Sequence, residues 1–111
     1  MFNKIIDING RLIGGENPPF IIAEMSGNHN QSLERALDII DKVAEADADA
    51  VKLQTYTPDT LTIKSSKNDF IIKGGLWDGS SLYDLYSSAY TPWEWHKKLF
   101  KHAKKNNLII F

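Results

Sequence analysis

The sequence contains no cysteine, which excludes disulfides and thiolate metal sites. It has no apolar run approaching the roughly 20 residues that a membrane-spanning helix requires. Met1–Gly10 carries a single lysine and no apolar stretch of signal-peptide length. Neither sign of charge dominates, since 13 Lys and Arg face 14 Asp and Glu. Without a block of like charge, neither nucleic acid nor an anionic membrane surface is expected as a partner. The glycine-rich dinucleotide fingerprint, the P-loop and the Gly-x-Ser-x-Gly elbow are all missing. The three histidines, His29, His96 and His102, do not fall at metal-ligand spacing on one helix face. These absences lead to the expectation of a soluble, cytoplasmic chain. At 111 residues it has the length of one ordinary domain and is too short for two.

What is present is an ordered series of elements. Residues 2–13 alternate weakly around Ile5, Ile8 and Leu12, and Asn9-Gly10 divides them. Both turn residues tolerate positive φ, so a β-hairpin is predicted. With the breakers Gly14 to Pro19 behind it, residues 1–16 read as an N-terminal hairpin and 17–111 as a partial barrel domain. Phe20–Met25 is a continuous apolar run ending in Glu24-Met25, as suits a strand buried on both faces. Leu33, Ala36, Leu37, Ile40, Val43 and Ala44 then form an amphipathic helical stripe, with Ser32 or Asn30 able to cap its start.

Ala50–Tyr56 reads as a second strand, and the order strand, helix, strand implies a right-handed parallel crossover. Residues 57–80 read as a long irregular loop, after which Ser81 caps a short helix. Thr91-Pro92-Trp93-Glu94 has the form of a capping box with proline at the first helical position, and Tyr90 and Trp95 form a hydrophobic staple. Asn106-Asn107 stops that helix, and Leu108–Phe111 begins a third strand. The fold expected is α/β: the first three βα units of a (β/α)8 TIM barrel behind an N-terminal hairpin. The final strand ends without a closing turn and reads as a cut, because a complete barrel needs about 250 residues.

Alternate strand residues share a face. Lys52, Gln54 and Tyr56 therefore lie opposite Val51, Leu53 and Thr55, and Ile22 and Glu24 lie opposite Ile21, Ala23 and Met25. With helices on the Val51 side, Glu24, Lys52 and Gln54 point into the barrel interior. A charge there is costly unless it is paired or holds a ligand, and strand C-terminal ends are where barrel enzymes work. From the pattern alone, Lys52 reads equally as an edge-strand lysine reaching water, whereas Glu24 reads more readily as the start of a solvated loop and His29 as an exposed loop residue. The Trp93, Trp95 and His96 group reads as a packed helix start, and Lys64, Lys67 and Lys73 as a solvated loop. Taken alone, these features support only an anion-binding α/β fragment.

The stretch Phe20–Asn30, with the helix after it and Val51–Tyr56, resembles the start of the sialic acid synthase family. Gln54–Thr60, Ser81–Tyr86 and Thr91–His96 resemble its pseudaminic acid synthase branch. The likeness runs over nearly the whole chain from about residue 5. It implies an enzyme that condenses phosphoenolpyruvate with an N-acetylated amino sugar, releasing phosphate and forming a nine-carbon sugar acid. It further implies a divalent metal, manganese or magnesium, that polarises the sugar aldehyde, an antifreeze-like C-terminal domain and a homodimer in the full-length enzyme. Carried onto this sequence, Lys52 holds the phosphate or carboxylate of phosphoenolpyruvate, and Glu24 orients the sugar or transfers a proton. Asn28 and His29 lie beside the sugar, with Gln54 and Tyr56 at the same mouth.

Two departures qualify the resemblance. Asp47 stands where the family usually has glycine, at a position that favours positive φ. The family's metal-binding histidines and most of its phosphate-binding residues fall beyond Phe111, so no metal ligand is assigned here. The acceptor is expected to be a di-N-acetylated deoxy-altrose. A neuraminic or legionaminic acid synthase and a non-catalytic truncated remnant or binding module remain the alternatives. The chain by itself is expected to be inactive and to fold with little cooperativity.

Overall fold

A computed structural model of the chain describes residues 4–111; Met1, Phe2 and Asn3, where the predicted hairpin begins, lie outside them. Asn9 and Gly10 take φ of 52° and 87°, the geometry that reverses a twisted pair of strands. They join β1 (Ile6–Ile8) to β2 (Arg11–Ile13) in an antiparallel pair with Ile6 opposite Ile13. The remaining strands, β3 (Ile22–Glu24), β4 (Ala50–Lys52) and β5 (Ile109–Ile110), form one parallel sheet with β4 in the centre. Glu24 pairs with Lys52 across β3 and β4, and Val51 with Ile110 across β4 and β5.

Helix α1 (Leu33–Glu45) starts at Ser32, whose hydroxyl accepts the Arg35 amide at 3.2 Å. This satisfies one of the free N–H groups of the first turn. The predicted stripe lands inward: Ala36, Ile40 and Val43 are buried. Asp47 ends the helix at φ 58°, and the Ala48 amide returns to the Val43 carbonyl at 3.3 Å. An aspartate thus occupies the left-handed position that the sequence pattern requires. Helix α4 (His96–Lys105) ends in the same way, with Asn107 at φ 56°. Outside the core, Asp41 of α1 meets His102 Nε2 of α4 at 2.6 Å and Nδ2 of Asn106, the residue after α4, at 3.2 Å.

Helices α1 and α4 cover one face of the sheet. Met25, Val51, Leu53 and Leu108 pack there against Ile40, Val43, Leu99 and Ala103. The opposite face is uncovered, with Ile22 44% and Phe111 52% exposed. No described helix is long and apolar enough to cross a membrane.

The chain departs from the sequence expectation at several places. The Phe20–Met25 run forms a strand only over Ile22–Glu24 and is not buried on both faces, with Ile21 52% and Ile22 44% exposed. The second strand stops at Lys52 rather than Tyr56: the Leu53 amide still reaches the Phe111 carbonyl at 2.8 Å, but the Gln54 amide and carbonyl bond to Thr91. The 57–80 segment contains a short helix, α2 (Pro58–Leu61), a 3-10 turn at Asn68–Phe70 and a bridge between Ile71 and Ser81. Helix α3 (Leu82–Ala89) follows, capped by Ser81 as expected. The capping box at Thr91 is not made. Trp93–Trp95 forms a 3-10 turn before α4, and the Thr91 hydroxyl accepts the Gln54 amide instead, at 3.3 Å. Of the expected staple pair, Tyr90 leans on Tyr56 and Trp95 stands edge-on to His29.

The hairpin is anchored at the N-terminal edge of the sheet. Arg11 Nε donates to Asp49 Oδ1 at 2.9 Å, and the Ile21 amide donates to Asp49 Oδ2 at 2.8 Å. A cleft of about 660 Å³ lined by Arg11, Pro19, Asp49 and Ile109 lies beside it. The Ile21 amide, and then Arg11, hold the Asp49 carboxyl below its ordinary value.

Two outcomes are expected. A group with a depressed folded-state pKa stabilises fully above its unfolded value, about 4 for a carboxylate, and loses that contribution as pH falls through the folded value. Protection of the Ile21 amide in NMR hydrogen exchange is therefore expected to hold at pH 6 and to collapse below about pH 4. Asp49→Asn should show no such transition. Asp47→Gly, which removes the Cβ from a left-handed position, is expected to raise stability to urea by about 0.5–1 kcal/mol.

Candidate active site

The C-terminal ends of β3 and β4 bring Glu24 and Lys52 together on the uncovered face. Lys52 Nζ lies 3.0 Å from Glu24 Oε1, with the two side chains 43% and 51% exposed. Lys52 belongs to the central strand, so the reading of it as an edge-strand lysine fails. A pair this exposed contributes only about 0–1 kcal/mol to stability. Its two charges lie side by side and remain open to solvent.

The loop after β3 is held both by its own turns and by contacts with the end of α3. Ser26, Asn30 and Gln31 all take positive φ. Asn28 turns its side-chain amide back to the Met25 carbonyl at 3.1 Å, and its own carbonyl accepts Arg35 Nε at 2.7 Å. Gly27 sits so close to the end of α3 that a Cβ there would stand 3.1 Å from the Ala89 Cβ and 3.3 Å from the Ala89 carbonyl oxygen. Gln31 Nε2 donates to the Ser88 and Tyr90 carbonyls at 3.1 and 2.8 Å.

His29 is not an exposed loop residue. It is fully buried, edge-on to Trp95 with ring centroids 5.3 Å apart. Its Nδ1 accepts the Gln31 amide at 3.0 Å, which assigns the proton of the neutral ring to Nε2. Burial pushes the imidazole below its ordinary value, and the Ala89 backbone only partly opposes this. Nε2 has no partner in good hydrogen-bond geometry. A neutral, enclosed ring of this kind fixes the loop from within rather than offering a charge at the surface.

Gln54 follows β4 and is held by its backbone: its carbonyl accepts the Thr91 amide at 2.9 Å and its amide donates to the Thr91 hydroxyl at 3.3 Å. Tyr56 lies edge-on to Tyr86 at 5.7 Å and tilted to Tyr90 at 6.4 Å. Burial, and secondarily Tyr86, raises its hydroxyl above the ordinary value. Thr55 and His96 add a hydrogen bond of 2.6 Å nearby. Of the six residues singled out in the sequence, the structure pairs Glu24 with Lys52. It uses the Asn28 side chain to close a turn, buries His29, pins Gln54 and packs Tyr56 among aromatic rings.

The residues missed by sequence reasoning are Thr91, Gln31, Gly27 and Ala89. Thr91 carried a signal, but it pointed to a helix cap. Among the described residues no group of three or more His, Asp and Glu stands close enough to hold a metal ion. The divalent metal implied by the resemblance therefore finds no ligand set on these residues.

The NeuB family model matches residues 39–111. The chain is 58% identical over 92 residues to a pseudaminic acid synthase of Campylobacter jejuni, covering 83% of this chain and 27% of that protein. It is 52% identical over 94 residues to the pseudaminic acid synthase of Helicobacter pylori, covering 85% and 28%. The crystal structure of an N-acetylneuraminic acid (sialic acid) synthetase from Leptospira borgpetersenii, in complex with citrate, superposes with a TM-score of 0.76 at 29% identity. That alignment covers 98% of this chain and 33% of the other. The chain thus spans less than a third of the length of the curated relatives it matches. The family match over residues 39–111 and the identity to these synthases establish that the chain belongs to the NeuB family.

Proposed function

We propose that this chain forms the opening βα units of a (β/α)8 barrel that condenses phosphoenolpyruvate with a di-N-acetylated deoxy-altrose. In this reaction the methylene carbon of phosphoenolpyruvate bonds to the sugar aldehyde carbon, water adds to the resulting cationic carbon, and the C–O bond to phosphate is broken later as phosphate leaves. The observation that carries the reading is the Glu24–Lys52 pair at 3.0 Å on the uncovered sheet face. Lys52 is the cation for the phosphate or carboxylate of the anionic substrate, through charge-assisted hydrogen bonds. Glu24 orients the sugar or moves a proton at its hydroxyl or aldehyde oxygen. Asn28, Gln54 and Tyr56 line the sugar side of the mouth, and His29 holds the loop that carries Asn28.

The choice of acceptor rests on identity, 58% and 52% to pseudaminic acid synthases against 35% to the N,N'-diacetyllegionaminic acid synthase of Legionella pneumophila. A second reading, in which the chain by itself is non-catalytic, draws on the uncovered face, where Ile22 and Phe111 meet solvent. The two are compatible if activity needs the strands that the longer relatives possess.

The test replaces the matching segment of the Campylobacter jejuni synthase with residues 1–111 and follows phosphate release from phosphoenolpyruvate with each candidate sugar. Release with the altrose-derived sugar in preference to the others is expected. Purified residues 1–111 alone should release none. Lys52→Ala should lower kcat/KM by about 10- to 100-fold while changing the urea stability of the chain by less than about 1 kcal/mol. Full activity in Lys52→Ala sinks the proposal.

A further inference from the structure

Gln54 lies two residues beyond Lys52, where the β4 ladder has ended. A backbone leaving a strand keeps its course only if its amide and carbonyl find new partners. Both partners are supplied by one residue. The Thr91 amide donates to the Gln54 carbonyl at 2.9 Å, and the Thr91 hydroxyl accepts the Gln54 amide at 3.3 Å. Thr91 is fully buried, at the joint between α3 and the Trp93–Trp95 turn.

The same joint backs the other loop at the mouth. Gln31 donates to the carbonyls of Ser88 and Tyr90, Gly27 abuts Ala89, and His29 meets Trp95. Residues 88–91 therefore touch both loops that carry the candidate substrate-facing groups. A valine would fill nearly the volume of Thr91, so the hydroxyl is the part whose presence packing does not explain. Its partner is the Gln54 amide.

We propose that Thr91 is a positioning residue for the reaction, setting Gln54 at the mouth by this two-way backbone clip. The inference rests on the reading of Gln54 as a sugar-side group of a phosphoenolpyruvate-condensing site. Removing the hydroxyl leaves a part-buried amide without its acceptor and lets the Gln54 backbone drift, whereas Lys52 keeps its ladder. The effect should therefore fall on the sugar more than on phosphoenolpyruvate.

The experiment compares wild type, Thr91→Val and Thr91→Ser in two settings. In residues 1–111, NMR hydrogen exchange at the Gln54 amide is expected to be about tenfold faster in Thr91→Val and unchanged in Thr91→Ser. In the chimera with the Campylobacter jejuni synthase, Thr91→Val is expected to raise KM for the sugar about tenfold. KM for phosphoenolpyruvate and kcat should stay within about threefold, and Thr91→Ser should restore the wild-type value. In a Gln54→Ala background Thr91→Val should add nothing to KM. Thr91→Ala takes the place of the valine should that variant fail to fold. Unchanged Gln54 exchange in Thr91→Val overturns the clip. A fall in kcat with KM unmoved marks a merely structural role and overturns the positioning. An inactive wild-type chimera overturns the reading of the site instead, and the exchange measurement then still decides the clip.

Discussion

The pairing of β3 with β4 places Glu24 opposite Lys52, and the rest of the mouth depends on that register. Side chains alternate along a strand, so a slip by one residue would send Lys52 into the helical layer and Val51 into solvent. Burial of Val51, Leu53 and Met25 against α1 and α4 makes that slip costly. The same hydrophobic contacts that hold the sheet to its helices therefore keep the two charges on the open side. The ion pair itself has little part in this, being half exposed on both sides.

The two ends of the sheet carry different burdens. At the N-terminal edge, Asp49 binds Arg11 of the hairpin and the Ile21 amide, tying the hairpin to the parallel strands. At the C-terminal edge the contacts converge on residues 88–91 instead. Rigid support of the backbone from behind leaves the side chains of Glu24, Lys52 and Gln54 free to meet a ligand. His29 illustrates the division: a residue type associated with chemistry is spent here, neutral and enclosed, on shaping the loop. The closeness of Gly27 to Ala89 belongs to the same support, since a Cβ at position 27 would stand 3.1 Å from the Ala89 Cβ and fit only if the two segments shifted slightly apart.

Much of the fold was legible because its causes are local. Asn9-Gly10 imposes a hairpin turn, Ser32 and the Leu33–Ala44 stripe impose α1, and the positive φ of Asp47 and Asn107 follows from where two helices must stop. The alternation that separates Lys52 from Val51 was equally readable, as was the strand, helix, strand order of a parallel sheet. The misread places share one feature. Thr91 has every local mark of a helix cap, yet its hydroxyl serves Gln54, 37 positions away. His29 sits in a polar stretch, yet its ring is enclosed by Trp95 from a helix start far along the chain.

The sequence by itself determined which residues turn, which face of each element is apolar, and which family's motifs the chain carries, because these depend on neighbours within a few positions. Only the tertiary structure decided that Lys52 is central and paired with Glu24, that His29 is buried, and that Thr91 completes the end of β4. Each of those outcomes needs a partner brought from a distant part of the chain, and a hydrogen-bonding group takes whichever partner the packed core places within reach.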